Sequence, residues 1–96
     1  MEPYTPDFSV CTRVISSRWM LPILHMIGTP QRFGDIQAVF PGLSRGVLAT
    51  QLQALLQMEL LHQTRYDCFP PRVEYRITKK GRALLEILAA LPAETD

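Results

Sequence analysis

The sequence has few of the residues that build metal centres or disulfide frameworks. It contains two cysteines and two histidines among 96 residues, and none of them shows the CxxC, HxxxH or HExxH spacing typical of zinc ligands. We therefore expect reduced thiols, no metal and no cofactor.

Long apolar runs are also missing. The stretch from Trp19 to Ile27 is interrupted by Pro22 and His25 and falls short of the roughly 20 residues that a membrane span needs.

Residue combinations that carry catalysis are absent as well. The sequence shows no nucleophile–base pair, no glycine-rich phosphate loop and no pair of carboxylates, so we expect no enzymatic activity.

Hydrophobic residues make up 47% of the chain and charged residues 20%, which is the usage of a globular protein and excludes disorder. We expect one domain over residues 1–96, with its core at about 8–91 and short frayed ends. Because no leader-like segment opens the chain, we expect a cytoplasmic protein.

Charge is unevenly distributed, although the net charge is only +1. Between Leu61 and Arg82, six basic residues stand against two acidic ones, a local charge of +4. A positive strip on a nearly neutral domain indicates a polyanionic partner, while a solvated face of the protein would have the same composition.

Hydrophobic periodicity predicts five helices, at residues 9–17, 18–27, 34–39, 45–58 and 79–91. Ser17, Ser44 and Thr78 are the expected N-caps of the second, fourth and fifth helices. The fourth helix should bury an inner stripe of Val47, Leu48, Leu52, Leu55 and Leu56. Gln51 lies beside this stripe, and we interpret it as packing against or capping a neighbouring helix.

The period changes to two after residue 60. This alternation predicts strands at 61–68 and 73–77, joined in a hairpin whose tip is Phe69-Pro70-Pro71-Arg72. Earlier in the chain, a brief extended piece at 31–33 precedes the third helix, and the tight break at Pro41-Gly42 makes the third and fourth helices a helix-turn-helix. The element order predicts a mainly α fold with a β-hairpin, the winged helix-turn-helix.

Several short segments carry a resemblance to a known family. They are Cys11, Ser16-Ser17-Arg18-Trp19, Arg32-Phe33-Gly34-Asp35-Ile36, Pro41-Gly42-Leu43-Ser44, Leu52, and Pro70-Pro71-Arg72-Val73-Glu74-Tyr75-Arg76-Ile77-Thr78 with Gly81. Over about residues 8–91 the chain resembles the HxlR-type family of helix-turn-helix transcriptional regulators, relatives of the MarR-like winged helices. The resemblance implies a homodimeric, sequence-specific DNA-binding regulator, most often a repressor, that responds to a small-molecule or thiol-reactive signal.

The outward side of the fourth helix is suited to the major groove of double-stranded DNA. Its small residues permit close approach, and its Arg, Thr and Gln side chains can bond base edges and phosphates. The predicted DNA contacts are Ser44, Arg45, Gly46, Ala49, Thr50 and Gln53 on this helix, with Arg65 and Arg72 on the hairpin. The resemblance adds Arg32 as a further phosphate contact.

Apolar faces remain on the first and last helices, and a core this small cannot cover both. The resemblance implies that these terminal helices build a two-fold dimer, so the operator should be an inverted repeat. The predicted interface consists of Val10, Val14, Ile15, Leu84, Leu88 and Leu91.

Cys11 occupies the position of the family's N-terminal cysteine, which in several members senses oxidants, quinones or aldehydes. Two interpretations stay open: a redox sensor, or a small buried side chain at the dimer seam. The second is favoured because Arg13 and Arg18 are the only nearby cations that could stabilise a thiolate. Cys68, in the hairpin, is an alternative reactive thiol because it should be exposed.

Three positions depart from the family pattern. Gly46 stands where a basic residue is common, Glu59 replaces the usual glycine after the fourth helix, and Gln63 stands where an arginine often opens the hairpin strand. Each departure removes positive charge or helix stability. They support an alternative function, a winged-helix protein–protein interaction module without strong DNA binding.

Overall fold

Five helices and three strands follow one another in the computed structural model, which describes residues 8–89. They are α1 (Phe8–Ser16), α2 (Met20–Met26), β1 (Gln31–Arg32), α3 (Phe33–Val39), α4 (Arg45–Gln57), β2 (Leu61–Tyr66), β3 (Arg72–Ile77) and α5 (Lys79–Ala89). This order confirms the predicted winged helix-turn-helix. We call β2, β3 and the loop 67–71 between them the wing.

The extended piece before α3 is a third strand of the sheet, which sequence reasoning did not predict. The strand order is β1-β3-β2 and both pairings are antiparallel. Gln31 stands opposite Tyr75, and Leu61 opposite Ile77. A strand of two residues has no readable period, so its pairing with the second edge of β3 could be found only in three dimensions.

The predicted N-caps Ser44 and Thr78 are confirmed, whereas Ser17 bonds the first turn of α2 from outside the N-cap position, which Trp19 occupies. Ser17 Oγ accepts a hydrogen bond from the Met20 N–H at 3.2 Å, and Ser44 Oγ accepts one from the Val47 N–H at 3.2 Å. In the same way Thr78 Oγ1 accepts a hydrogen bond from the backbone N–H three residues later, at 3.0 Å. Each hydroxyl satisfies an N–H that has no partner inside its helix. These bonds fix where α2, α4 and α5 begin.

The core lies between the helices and one face of the sheet. It is formed by Val14, Met20, Ile23, Leu24, Ile27, Ile36, Leu43, Leu48, Leu52, Ala54, Leu55, Leu60, Leu61, Ile77 and Leu84. The prediction that Val47 belongs to the inner stripe of α4 is wrong, because its side chain is 42% exposed. The buried stripe runs through Leu48, Leu52 and Leu55, and Val47 lies about 100° around the helix from Leu48.

The exit from α4 is tightly packed against the start of α5. Glu59 has a positive φ of 60°, the conformation in which a glycine is ordinarily favoured. Its carbonyl accepts a hydrogen bond from the Thr78 hydroxyl at 2.7 Å, and the Leu60 carbonyl accepts one from the Thr78 N–H at 3.1 Å. A Cβ added to Gly81 would lie 2.2 Å from the Leu60 oxygen and 2.7 Å from Ile77 Cγ1. Only glycine fits at this position.

Substitution of Gly81 by alanine should therefore lower the free energy of unfolding by about 3 kcal/mol, because the new methyl group meets backbone that cannot move aside. Urea denaturation measures the change as a shift of the midpoint. Gly46→Ala is the matched control: no atom lies within 4 Å of its Cβ position, so it should stabilise α4 by roughly 0.5 kcal/mol. Equal midpoints for the two variants would contradict the packing described here.

Candidate nucleic-acid interface

One side of α4 is open to solvent along its length. Exposed residues follow one another there at helical spacing: Ser44, Arg45, Gly46, Ala49, Thr50, Gln53 and Gln57. The space beside Gly46 is empty to at least 4 Å, so another molecule can approach the helix backbone closely. The Thr50 hydroxyl donates to the Gly46 carbonyl at 3.0 Å, which leaves its methyl group and an oxygen lone pair for an external contact. The structure thus brings the residues predicted on this helix together on one surface.

Arg45 is held at the start of α4 by an aromatic ring. Its guanidinium carbon lies 4.9 Å from the centre of the Phe33 ring, at the start of α3. A guanidinium stacked in this way keeps its N–H groups at the edge for hydrogen bonds. The two helices of the helix-turn-helix therefore present this cation jointly.

Gln51 lies on the flank of α4 and contacts α2, as the sequence predicted. The Ser17 hydroxyl donates to Gln51 Oε1 at 3.2 Å. The same hydroxyl oxygen accepts from the Met20 N–H, so one side chain ties the start of α2 to the middle of α4. This bond fixes α4 relative to the rest of the core.

The two predicted wing arginines lie on opposite faces of the sheet. Arg65 pairs with Val73, while Arg72 pairs one register step away with Tyr66, and side chains one step apart point to opposite faces. Arg65 is exposed. It lies on the face of the sheet that is buried in the core at the end of the wing far from the loop 67–71. The length of the loop 67–71 sets this register. The sequence pattern alone therefore did not show that the two arginines lie on opposite faces of the sheet.

Arg72 is fixed within the wing. Its guanidinium carbon lies 4.6 Å from the centre of the Tyr66 ring, and its Nε lies 3.5 Å from Glu74 Oε2. Arg32 is opposite Glu74 in the sheet and so shares this outer face with Arg72 and Arg76. The phosphate contact predicted at Arg32 would therefore be made from the outer face of the sheet.

The wing tip carries a residue that sequence reasoning did not single out. Phe69 is 98% exposed, immediately before Pro70-Pro71. The Cys68 thiol donates to the Pro70 carbonyl at 3.3 Å, and Cys68 is exposed as predicted. Cys11 is half-buried on α1 and packs against the core.

The predicted dimer residues divide into three groups. Val14 and Leu84 are completely buried in the chain's own core, so they cannot offer surface to a partner, and their inclusion in the interface is corrected here. Val10 and Leu88 are half-buried, while Ile15 is 54% exposed. Leu91 lies outside the described residues. The terminal helices bury more of their apolar faces than predicted because α1 and α5 both pack on α2.

An apolar groove lies between α2, the end of α3 and α5. It has a volume of about 750 Å³. Its apolar lining includes Leu21, Met26, Val39, Phe40, Leu85 and Leu88. We call it the apolar groove. Sequence reasoning missed it because its walls come from three helices that are distant in the chain.

Within residues 8–89, no three side chains of the histidine, cysteine or carboxylate type lie together as a metal site would require. None of the described helices has the length and apolar character needed to span a membrane.

Comparison with known proteins assigns the chain to a family. The family model of the HxlR-like helix-turn-helix matches residues 14–95. The HTH-type transcriptional regulator YvaP of Bacillus subtilis (strain 168) is 34% identical over 90 residues, which cover 90% of this chain and 81% of that protein. The reduced form of the transcriptional regulator YodB from B. subtilis superposes with a TM-score of 0.79 at 29% identity, covering 90% of this chain and 85% of that one.

A second solved structure, the redox regulator HypR in its oxidized form, superposes with a TM-score of 0.77 at 30% identity and covers 84% of each chain. The confirmed element order and these matches agree with each other. The chain therefore belongs to the HxlR-like helix-turn-helix family of DNA-binding transcriptional regulators.

Proposed function

We propose that this chain represses transcription by binding an inverted repeat in double-stranded DNA as a two-fold dimer, with α4 of each protomer in the major groove. The observation that carries the proposal is the open side of α4, where small residues and hydrogen-bonding side chains lie together opposite a buried stripe. A helix fits the major groove of B-DNA, and the four base pairs present distinct donor and acceptor patterns there.

The residues of α4 divide between approach and recognition. Gly46 and Ala49 let the helix backbone come close to the base edges, because neither side chain extends beyond a methyl group. Gln53 can bond an adenine edge with its amide, and Thr50 offers its methyl group to thymine. Arg45, stacked on Phe33, bonds a phosphate or a guanine edge.

The wing adds contacts to the DNA backbone. Arg65 is exposed near the wing tip. Its side chain lies on the face of the sheet that is turned toward the helices. Arg72 is held by Tyr66 and Glu74, so it loses little side-chain entropy on contact with a phosphate or the minor groove.

Substitutions on α4 should separate base reading from phosphate binding. Gln53→Ala should weaken binding to the preferred duplex by about 1–3 kcal/mol and relax the preference at one base pair. Arg45→Ala should weaken binding and lower its salt dependence. Fluorescence anisotropy at 50 and 200 mM salt, on a duplex selected from random DNA, measures both effects.

The control for this experiment is Lys79→Ala, which removes an exposed cation from α5 and should leave the affinity unchanged. If the wild-type chain binds no duplex even at low salt, or if the α4 variants bind as well as the wild type, the chain is a protein–protein interaction module instead.

We further propose that the second protomer covers the apolar groove, which adjoins the exposed part of α5. Val39 lines this groove and is 55% exposed, so one chain alone leaves its apolar surface in water. Binding to an inverted repeat requires an isologous dimer whose two copies of α4 lie about one DNA turn, roughly 34–36 Å, apart.

Val39→Glu should dissociate this dimer, because it places a carboxylate in a mostly apolar interface. The dimer dissociation constant should rise roughly 100-fold or more, as measured by sedimentation equilibrium. Val47→Glu makes the same change at a valine that is 42% exposed outside the groove, and should leave the dimer intact. A Val39→Glu chain that dimerises as tightly as the wild type would place the interface elsewhere.

We propose that the signal acts on the thiol of Cys11. Two observations support this: Cys11 packs against the core from α1, and the structural relatives include a redox regulator and both a reduced and a diamide-treated form of YodB. An adduct on this half-buried cysteine adds bulk where α1 packs against the core, and we propose that it displaces α1.

Diamide with glutathione should release DNA from the wild-type chain and from Cys68→Ser, and not from Cys11→Ser. Diamide takes up the two thiol hydrogens as a mixed disulfide forms between Cys11 and glutathione. Anisotropy before and after treatment, with mass spectrometry of the adduct, measures the effect. Equal release from all three chains would exclude Cys11 as the sensor.

A further inference from the structure

We propose that Arg13 and Arg18 form a second phosphate-binding element that grips the DNA backbone beside α4. This inference rests on the proposed DNA binding by α4 and adds two contact residues from outside the helix-turn-helix and the wing. Arg13 lies on α1, and Arg18 lies in the turn between α1 and α2.

A hollow between this turn and α4 places the two arginines next to the recognition surface. It has a volume of about 400 Å³, and we call it the corner hollow. It is lined by Arg13, Ser16, Ser17, Arg18, Trp19, Met20, Thr50, Gln51 and Ala54. A second hollow of about 360 Å³ shares Arg13, Thr50 and Ala54 with it and continues along α4 past Gln53. The corner hollow is therefore continuous with the open side of α4.

Among the described residues, the walls of the two hollows carry positive charge only. Arg13 and Arg18 are both exposed, and among the residues that line the two hollows none is acidic. A guanidinium beside a face of neutral polar side chains attracts an anion, and nothing along these walls competes for it.

Arg18 is also held in place. Its guanidinium carbon lies 5.1 Å from the centre of the Trp19 ring. Trp19 in turn packs edge-on against Phe40, with 5.9 Å between the ring centres. The arginine is thus supported by a ring that spans α2 and the end of α3, so a phosphate contact costs little additional side-chain ordering.

The position of the two arginines favours duplex DNA over a small anion. The hollows are open and shallow, and their cations are exposed, so a discrete phosphate would remain largely hydrated. A helix in the major groove, about 12 Å wide, lies between two phosphate strands. When Thr50 and Gln53 face the bases, the strand on their flank passes the corner hollow, where Arg13 and Arg18 meet it.

Salt dependence tests this assignment directly. Each phosphate contact contributes about −0.9 to the slope of log K against log[salt]. Arg13→Gln and Arg18→Gln should therefore each reduce the loss of affinity between 50 and 200 mM salt by about 3.5-fold per protomer bound, and the double variant should combine both effects. Arg18→Lys keeps the charge and should restore the slope. Lys79→Gln, which removes an exposed cation on α5 that lines neither hollow, should leave the slope unchanged.

Phosphate contacts carry no base information, so the substitutions should weaken binding to the selected duplex and to unrelated DNA by the same factor. Both arginines are exposed, so the urea midpoints should equal that of the wild type. If the wild type binds the selected duplex and the double variant keeps its slope, this inference is wrong while the proposed function stands. A loss confined to the selected duplex would identify base reading and overturn the phosphate assignment. No binding by the wild type at any salt would remove both proposals.

Discussion

The buried apolar stripe of α4 determines which of its side chains reach another molecule. Leu48, Leu52 and Leu55 are at most 2% exposed, so rotation of the helix about its axis would bring them into water at a cost of about 1.5–3 kcal/mol for each side chain. The bond between Ser17 and Gln51 and the Ser44 cap remove the remaining freedom. The side left outward carries the small and hydrogen-bonding residues, and the proposed DNA contact follows from this orientation.

Three of the arginines proposed to contact DNA rest on aromatic rings. Among the described residues, Arg18, Arg45 and Arg72 stack on Trp19, Phe33 and Tyr66. The rings belong to the turn before α2, to α3 and to the wing, so each cation is fixed to a different part of the fold. An arginine ordered before binding loses less entropy when it meets a phosphate. The ring contacts of Arg18 and Arg45 also leave their guanidinium edges available for bidentate bonds.

Local patterns predicted much of this arrangement. Hydroxyl residues before apolar runs marked the starts of three helices, and the tight Pro41-Gly42 break marked the helix-turn-helix. Features that depend on distant packing escaped prediction. Val14 and Leu84 looked like interface residues because a helical stripe does not reveal which partner covers it. The pairing of β1, the opposite faces of Arg65 and Arg72, and the corner hollow all depend on chain segments that meet only in the folded protein.

Chemical-shift mapping of the backbone amides with a bound duplex shows whether the open side of α4 faces DNA. Perturbed amides should concentrate along Arg45 to Gln57, at the corner from Arg13 to Trp19, and around Arg65 in the wing. The amides that line the apolar groove should change little when the dimer is already formed. Perturbations confined to the apolar groove or to the outer face of the sheet, with α4 unaffected, would contradict the proposed DNA contact.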